Sequence, residues 1–185
     1  MRIFRLMLLA FFIVLAAAAL TVYLYAAPRE ELDLSYQPVP LMERAVEMLR
    51  RQSLELVLTE DDLNHLAKRS LSLHPNVRPN VQVTGAAFEL KGDRMIADVN
   101  AKLLGFWTVG LQAVYTFRWE APNLIGTPIE MKAGDIALPK ERIGELVIPI
   151  GEELPIIKLD EVYLKDGQIH VRIHKPSLSD LKRLL

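Results

Sequence analysis

The sequence contains no cysteine among its 185 residues. Disulfide bonds and thiol chemistry are therefore excluded, and any folded domain has to be stabilised by packing alone. An excess of charge of one sign is also lacking, because 22 basic residues stand against 23 acidic ones and the formal net charge is -1. Without a broad positive field, we expect no nucleic-acid partner.

Recognisable catalytic motifs are missing as well. The sequence has no glycine-rich nucleotide loop, no HExxH pair and no nucleophile elbow. His170 and His174 fall on a predicted strand, where about 13 Å separates their rings, too far for one zinc ion. His65 lies near Asp61 and Asp62, which we interpret as charges at a helix start rather than as a catalytic pair. We therefore predict no enzyme activity, no catalytic residue, no metal and no cofactor.

One long apolar run stands near the start of the sequence, from Leu6 to Tyr25, with no charged residue in it. A helix of this length reaches about 30 Å, the thickness of the hydrocarbon core of a bilayer. Arg2 and Arg5 precede the run and mainly acidic residues follow it, so the amino terminus should stay in the cytoplasm. The run predicts a single-pass anchor in the cell membrane. The alternative is a signal peptide cleaved after Ala18, against which the length of the run counts.

The anchor divides the chain into three predicted parts. Residues 1–27 are the cytoplasmic start and the transmembrane helix, residues 28–40 are a linker with three prolines, and residues 41–185 are one extracytoplasmic domain. The domain is long enough for one well-packed core and too short for two. We expect Tyr23 and Tyr25 to lie at the outer membrane interface.

Helical periodicity predicts short amphipathic helices within the domain. The first covers residues 41–51, and the second begins at Thr59, where Asp62 three residues later completes a capping box. A third is predicted from Pro139 to Pro149, and a short one begins at Ser177.

Alternation of apolar and polar residues predicts antiparallel strands from Val81 onward. The phase breaks at Gly85 and Ala86, as it does in a bulged strand, and residues 91–94 form a hairpin turn. The last hairpin, between residues 156 and 173, turns at Asp166-Gly167. The predicted fold is α+β: a single N-terminal transmembrane helix followed by a curved antiparallel sheet packed on amphipathic helices.

The strongest strand signal runs from residue 107 to residue 119, where every odd position is apolar. This length is well beyond the usual five or six residues and favours a strongly curved sheet. Its apolar face can be ordinary core packed on the helices, or it can cradle an acyl chain where the helices do not reach. The candidate lipid-binding residues are Trp107, Val109, Leu111, Tyr115, Phe117 and Trp119.

Three segments resemble the YpmS-like family, membrane-anchored proteins of uncharacterised function from Bacillus-type bacteria. They are LVLTEDDLNHLAKR at 56–69, the block at 103–147 that begins LLGFWTVGLQAVYTFRW, and VYLKDGQIHVRI at 162–173, all after an amino-terminal anchor. None of them is a catalytic signature, so the resemblance implies no active-site residue. The curved strands with one apolar face are also similar, more remotely, to tubular lipid-binding domains, which implies function only by analogy of fold.

These observations predict a membrane-anchored extracytoplasmic domain that binds a lipid or a lipid-linked envelope precursor in an apolar groove, without catalysis. The alternative is a protein-interaction module that positions a cell-envelope enzyme through a sheet edge or the carboxy-terminal helix. The expected partners are membrane lipid and an envelope protein.

Overall fold

The computed structural model describes residues 2–154 and 157–174, apart from the side chains of residues 2–6, 9, 22, 142 and 153. The helices in this part of the chain are α1 (Arg2–Ala26), α2 (Leu41–Arg50), α3 (Glu60–Leu73) and α4 (Ile150–Glu153). The strands are β1 (Glu55–Leu58), β2 (Asn76–Arg78), β3 (Val81–Lys91), β4 (Arg94–Leu103), β5 (Trp107–Glu120), β6 (Asn123–Ala133), β7 (Ile136–Ala137), β8 (Leu146–Ile148), β9 (Leu159–Lys165) and β10 (Gln168–Ile173). The helix predicted from Ser177 lies outside the described residues.

The larger sheet has seven antiparallel strands and curls into a half-barrel. Its order is β2-β3-β4-β5-β6-β7, and β8 pairs with the other end of β6. The curl brings distant edges together, because Arg78 of β2 donates a hydrogen bond of 3.2 Å to the carbonyl of Glu141, just before β8. The α+β class and the curved antiparallel sheet predicted from the sequence are confirmed.

Helix α3 lies across the opening of the half-barrel. It contacts β3 on one side and β8 on the other. Its start has the predicted capping box: the Thr59 hydroxyl accepts from the backbone N–H of Asp62 (3.2 Å), and the Asp62 carboxylate accepts from that of Thr59 (2.9 Å). The two bonds satisfy orphan donors of the first helical turn and determine where α3 begins.

The free edge of β3 is closed by side chains of α3 rather than by another strand. The amide of Asn64 accepts from the N–H of Phe88 (2.8 Å) and donates to its carbonyl, and the Glu60 carboxylate accepts from the N–H of Leu90 (2.7 Å). The match works because residues one helical turn apart face residues two apart in a strand. The edge therefore presents fewer unpaired backbone groups to a second chain.

A smaller sheet, β1-β10-β9, packs with the helices against the concave face of the half-barrel. Its pairing joins Glu55 to Arg172, far apart in the sequence, and it was not predicted as a separate sheet. The core between the two sheets includes fully buried residues such as Leu58, Leu63 and Ile169. The helices therefore share the concave face of the large sheet with this second sheet.

The prediction of a helix between Pro139 and Pro149 is wrong. The structure has a 3₁₀ turn at Lys140–Arg142, and residues 146–148 form β8, which pairs with Leu124, Ile125 and Gly126 of β6. Gly144 interrupts the helical pattern, and the β-branched Val147 and Ile148 gain a strand partner in the tertiary structure.

The apolar run predicted as an anchor, Leu6 to Tyr25, lies inside α1, a continuous helix of 25 residues. Within the described part of the chain, no helix is both long and apolar enough to cross a membrane. The anchor remains a prediction from the sequence.

Residues 27–40, here called the strap, cross the face of the large sheet opposite to the core. Gly85, Asn100 and Gly110 are cross-strand partners on that face, since the core-facing residues lie at the alternate positions. The Asn100 amide donates 2.8 Å to the carbonyl of Glu30, and the backbone of Leu32 lies directly over Gly85. The segment predicted as a linker thus packs along the domain, because its backbone groups find partners there.

The close approach of the strap should make Gly85→Ala destabilising. A Cβ at this position would lie 2.0 Å from the carbonyl oxygen of Leu32, so the strap or β3 has to move. We expect a loss of about 1–3 kcal/mol in the free energy of unfolding, as for overpacking elsewhere, measured by urea denaturation. Gly144→Ala is the matched control, since nothing lies within 4 Å of its added methyl group. Equal losses in both variants would contradict the close approach.

The buried carboxylate of Asp62 should make stability depend on acid pH. Burial opposes its ionisation, but hydrogen bonds from Arg44 (2.7 Å) and from Thr59 outweigh this and hold the pKa of Asp62 below its ordinary value. A depressed folded pKa stabilises the protein above the unfolded pKa, and the contribution is lost as pH falls through the folded value. We expect the difference in unfolding free energy between wild type and Asp62→Asn to be largest at neutral pH and to shrink below about pH 4.

Urea denaturation at a series of pH values measures this difference. The other carboxylates with lowered pKa values, such as Asp33 and Glu55, are present in both proteins, so their contributions cancel. A difference that stays constant between pH 7 and pH 3 would argue against an ionised Asp62.

Candidate functional site

The six predicted lipid-binding residues of β5 separate into two groups. Tyr115 belongs to the core, and burial raises the pKa of its phenol to about 12, so the hydroxyl stays neutral. Phe117 and Trp119 are partly buried and pack against the same core. These three residues contact the protein interior, as the core interpretation of the apolar face predicts.

The other three residues lie toward the start of β5 and differ in exposure. Val109 is buried beside its cross-strand partner Ala101, and Leu111 is half-buried opposite Val99. Trp107, at the first position of the strand, is 50% exposed. The structure therefore brings the six residues onto one face but into different environments.

A cavity of about 290 Å³, here called the strap cavity, lies between the strap and the outer face of the sheet. It combines the guanidinium of Arg29, the amides of Asn100 and Gln112 and the carboxylate of Asp98 with the apolar residues Leu32 and Ala87. Gln112 donates 2.9 Å to Asp98, which orders two of these polar groups. Of the six predicted lipid-binding residues only Leu111 borders it, and it does so with its backbone, because its side chain lies on the core face of the sheet with that of Tyr115.

The strap cavity opens where α1 joins the sheet. Tyr25, near the end of α1, donates its hydroxyl to Asp135 (2.8 Å), and Arg29 pairs with the same carboxylate (3.2 Å). Hydrogen bonds from Tyr25 and from Arg29 hold the pKa of Asp135 below its ordinary value. The end of α1, the strap and the turn before β7 are thereby joined.

Sequence reasoning missed the strap cavity, although one signal was present. Gly85 and Gly110 stand inside strand patterns, where a glycine marks a close approach by another backbone. The added Cβ of Gly110 would lie 2.9 Å from Cα of Pro28, just as Gly85 accommodates the backbone of Leu32. What the signal does not contain is the identity of the approaching segment.

A second cavity, of about 130 Å³, lies between the carboxyl half of α3 and the β8–α4 segment. Leu66, Ser70 and His74 line one wall, and Pro149 and Glu152 line the other. It is well below the roughly 300 Å³ at which small-molecule sites begin. We assign no ligand to it.

The histidines do not converge on a common centre. His65 accepts the backbone N–H of Gln37 at Nδ1 (3.1 Å), which makes it a contact of the strap. His170 stacks on Tyr163 with 5.1 Å between ring centroids, whereas His174 lies 3.0 Å from Asp160. Among the residues that the structure describes, no group of three or more His, Asp or Glu side chains could hold a metal ion.

An ionic cluster occupies the outer face of the smaller sheet. Tyr163 donates 2.7 Å to Glu55, which holds the pKa of Glu55 below its ordinary value and raises that of Tyr163. Arg172 lies over the Tyr163 ring and pairs with Glu161 at 3.0 Å. Because these groups satisfy one another on an open strand face, the arrangement is that of a surface network rather than a catalytic cleft.

The chain matches no protein-family model, and comparison with curated proteins and with solved structures gives no significant match. The resemblance to the YpmS-like family stays a prediction.

Because Tyr115 is buried and Trp107 is exposed, we expect a charge introduced at these two positions to change the free energy of unfolding by very different amounts. Tyr115→Asp places an unpaired carboxylate in the core, and we expect a loss of about 3 kcal/mol or more in the free energy of unfolding. Trp107→Asp changes an exposed side chain, so we expect a change within about 0.5 kcal/mol. Urea denaturation followed by circular dichroism measures both, and equal sensitivity at the two positions would contradict this division.

Proposed function

We propose that the chain is a single-pass membrane protein whose extracytoplasmic domain binds a lipid or a lipid-linked envelope precursor without catalysing a reaction. The observation that supports this most is the position of the strap cavity at the junction of α1 with the sheet. With α1 embedded, a ligand in that cavity lies at the level of the lipid headgroups. Its volume of about 290 Å³ is close to the lower limit of small-molecule sites.

The anchor in this proposal rests on the sequence of α1. The run Leu6–Tyr25 has the length that a bilayer requires, and the basic residues that precede it favour a cytoplasmic amino terminus. The domain then lies outside the cell, where an uncleaved apolar helix keeps it at the membrane. The lack of cysteine is compatible with this compartment, because the core is packed without disulfides.

The composition of the strap cavity fits the head of an amphiphile. Arg29 offers a cation to a phosphate, while the Asp98 carboxylate and the Gln112 amide can bind hydroxyl groups. Leu32 and Ala87 offer apolar contact for the first methylene groups of a chain. The proposed lipid site therefore lies on the face of the sheet opposite to the six predicted side chains: Leu111 borders it only with its backbone, and Tyr115, Phe117 and Trp119 belong to the core.

The alternative function, a module that positions an envelope enzyme, needs a surface for a partner. One sheet edge that it could use, that of β3, is closed by Asn64 and Glu60. The carboxy-terminal helix that it could also use lies outside the described residues. We place lipid binding first because the strap cavity offers polar and apolar groups side by side for an amphiphile.

Native mass spectrometry of the full chain, extracted from membranes in mild detergent, tests the proposal. We expect a co-purifying lipid, and we expect Arg29→Ala to weaken its binding roughly 10-fold or more, as for the loss of a charged hydrogen bond. The fold should persist, because the side chains of the Arg29–Asp135 pair are about three-quarters exposed to solvent and such pairs contribute little.

Arg94→Ala is the matched control, since Arg94 is also exposed and lies at the opposite end of the sheet. It should retain the lipid. A wild-type protein that carries no lipid would overturn the proposal and favour the partner module.

A further inference from the structure

The two ends of the half-barrel differ in character. At one end, the turns between β3 and β4 and between β5 and β6 carry Lys91, Asp93, Arg94 and Glu120. The other end has five large apolar side chains that are 46–65% exposed. They are Val77, Leu104, Phe106, Trp107 and Ile136. Other exposed apolar residues of the described domain, such as Leu73 and Val147, are single residues on different elements.

The apolar end is built around the turn between β4 and β5, here called the tip, residues 104–106. Phe106 and Trp107 contact each other edge to face, with 5.6 Å between ring centroids. The N–H of Leu104 donates to the carbonyl of Asn80 (2.9 Å), which brings the β2–β3 turn to the same end. A backbone hydrogen bond thus holds the tip beside the β2–β3 turn, while the Leu104, Phe106 and Trp107 side chains stay exposed.

The tip also has a backbone conformation that leucine disfavours. Leu104 has φ +52° and Gly105 has φ +80°, a pair of left-handed residues for which Asn-Gly is the usual choice. A leucine in this region is uncommon and costs of order 1 kcal/mol or more. An exposed, conformationally costly leucine beside an exposed phenylalanine has no stabilising role within the domain, which points to a contact outside it.

The apolar end is the end at which α1 joins the domain. Gly110 touches Pro28, and Gly134 lies against the backbone of Tyr25. Trp107 is three residues from Gly110 along β5, about 10 Å. Two cations lie at this end: Arg78 is exposed and donates to the carbonyl of Glu141, and Lys102 is half-buried beside the tip. Cationic side chains at a bilayer surface are attracted to anionic headgroups.

We propose that the tip, with Trp107, inserts its apolar side chains into the outer interface of the bilayer beside α1. This inference rests on the proposed membrane anchor and deepens it, because a second contact orients the half-barrel relative to the membrane. Leu104, Phe106 and Trp107 are the inserted residues, and aromatic side chains are favoured at that depth. The strap cavity, about 10 Å from Trp107 along β5, then faces the headgroups.

Fluorescence of Trp107 in vesicles tests the insertion, because the chain has only two tryptophans. In the full-length Trp119→Phe variant, emission comes from Trp107 alone. We reconstitute it into phosphatidylethanolamine–phosphatidylglycerol vesicles that contain lipids brominated near the top of the acyl chains. We expect a blue-shifted emission that brominated lipid quenches and aqueous iodide does not.

Two further variants make the result specific. Trp107→Phe retains only Trp119, near the polar end of the sheet, and its emission should be insensitive to brominated lipid. Leu104→Asp combined with Phe106→Asp, in the Trp119→Phe background, changes exposed residues only, so the fold should persist while quenching by lipid is lost.

Vesicle flotation separates failure of the inference from failure of the anchor. If the protein floats with the vesicles but Trp107 is quenched by iodide, the insertion is overturned and the anchor stands. If Trp107 is protected from iodide without being quenched by lipid, a protein surface covers the tip, and the insertion is again overturned. If the protein does not float, the anchor fails and the insertion fails with it.

Discussion

The fold depends on how the half-barrel ends at β3. A curled sheet that does not close leaves a row of unpaired N–H and C=O groups on its first long strand, and such an edge invites pairing with another chain. Here the row is satisfied by Asn64 and Glu60 of α3, by the strap, whose Asp33 carbonyl accepts from Ala86 (3.1 Å), and by β2. The same helix buries Leu63 and Leu66 in the core. Helix α3 therefore both protects the edge of β3 and contributes to the core. The capping box between Thr59 and Asp62 determines where this helix begins.

The sheet is used on both faces. Its concave face is covered by helices and the smaller sheet, so most of the apolar residues of β5 are structural. Its other face carries small and polar residues, and their small size lets the strap lie directly on the strands at Gly85 and Gly110. The strap is the covalent connection from α1, and because it is fixed to the sheet it transmits the position of α1 to the whole domain. A flexible linker of the same length would not orient the domain in this way.

Elements with a strong local pattern were predictable. The alternation around Gly85 predicted a bulged strand, and the register does shift between Val83 and Gly85. The capping box at Thr59 and the turn at Asp166-Gly167, where both residues have positive φ, were also predicted correctly. The segment around Leu146 was not, because a short apolar stretch between Gly144 and Pro149 has no period long enough to distinguish a helix from a strand. Its pairing with β6 decided the outcome.

What the sequence by itself determined is the local conformation: the apolar helix, the half-barrel strands, the turns and the class of the fold. Periodicity and turn chemistry act over a few residues, so they favour the same local conformation in any chain that contains them. Only the tertiary structure decided that β1 pairs with β10, that the strap crosses Gly85 and Gly110, and that Trp107 is exposed while Tyr115 is buried. These outcomes depend on which distant segment covers a given face. An alternating strand shows that one of its faces is apolar, but it does not show which segment packs on that face.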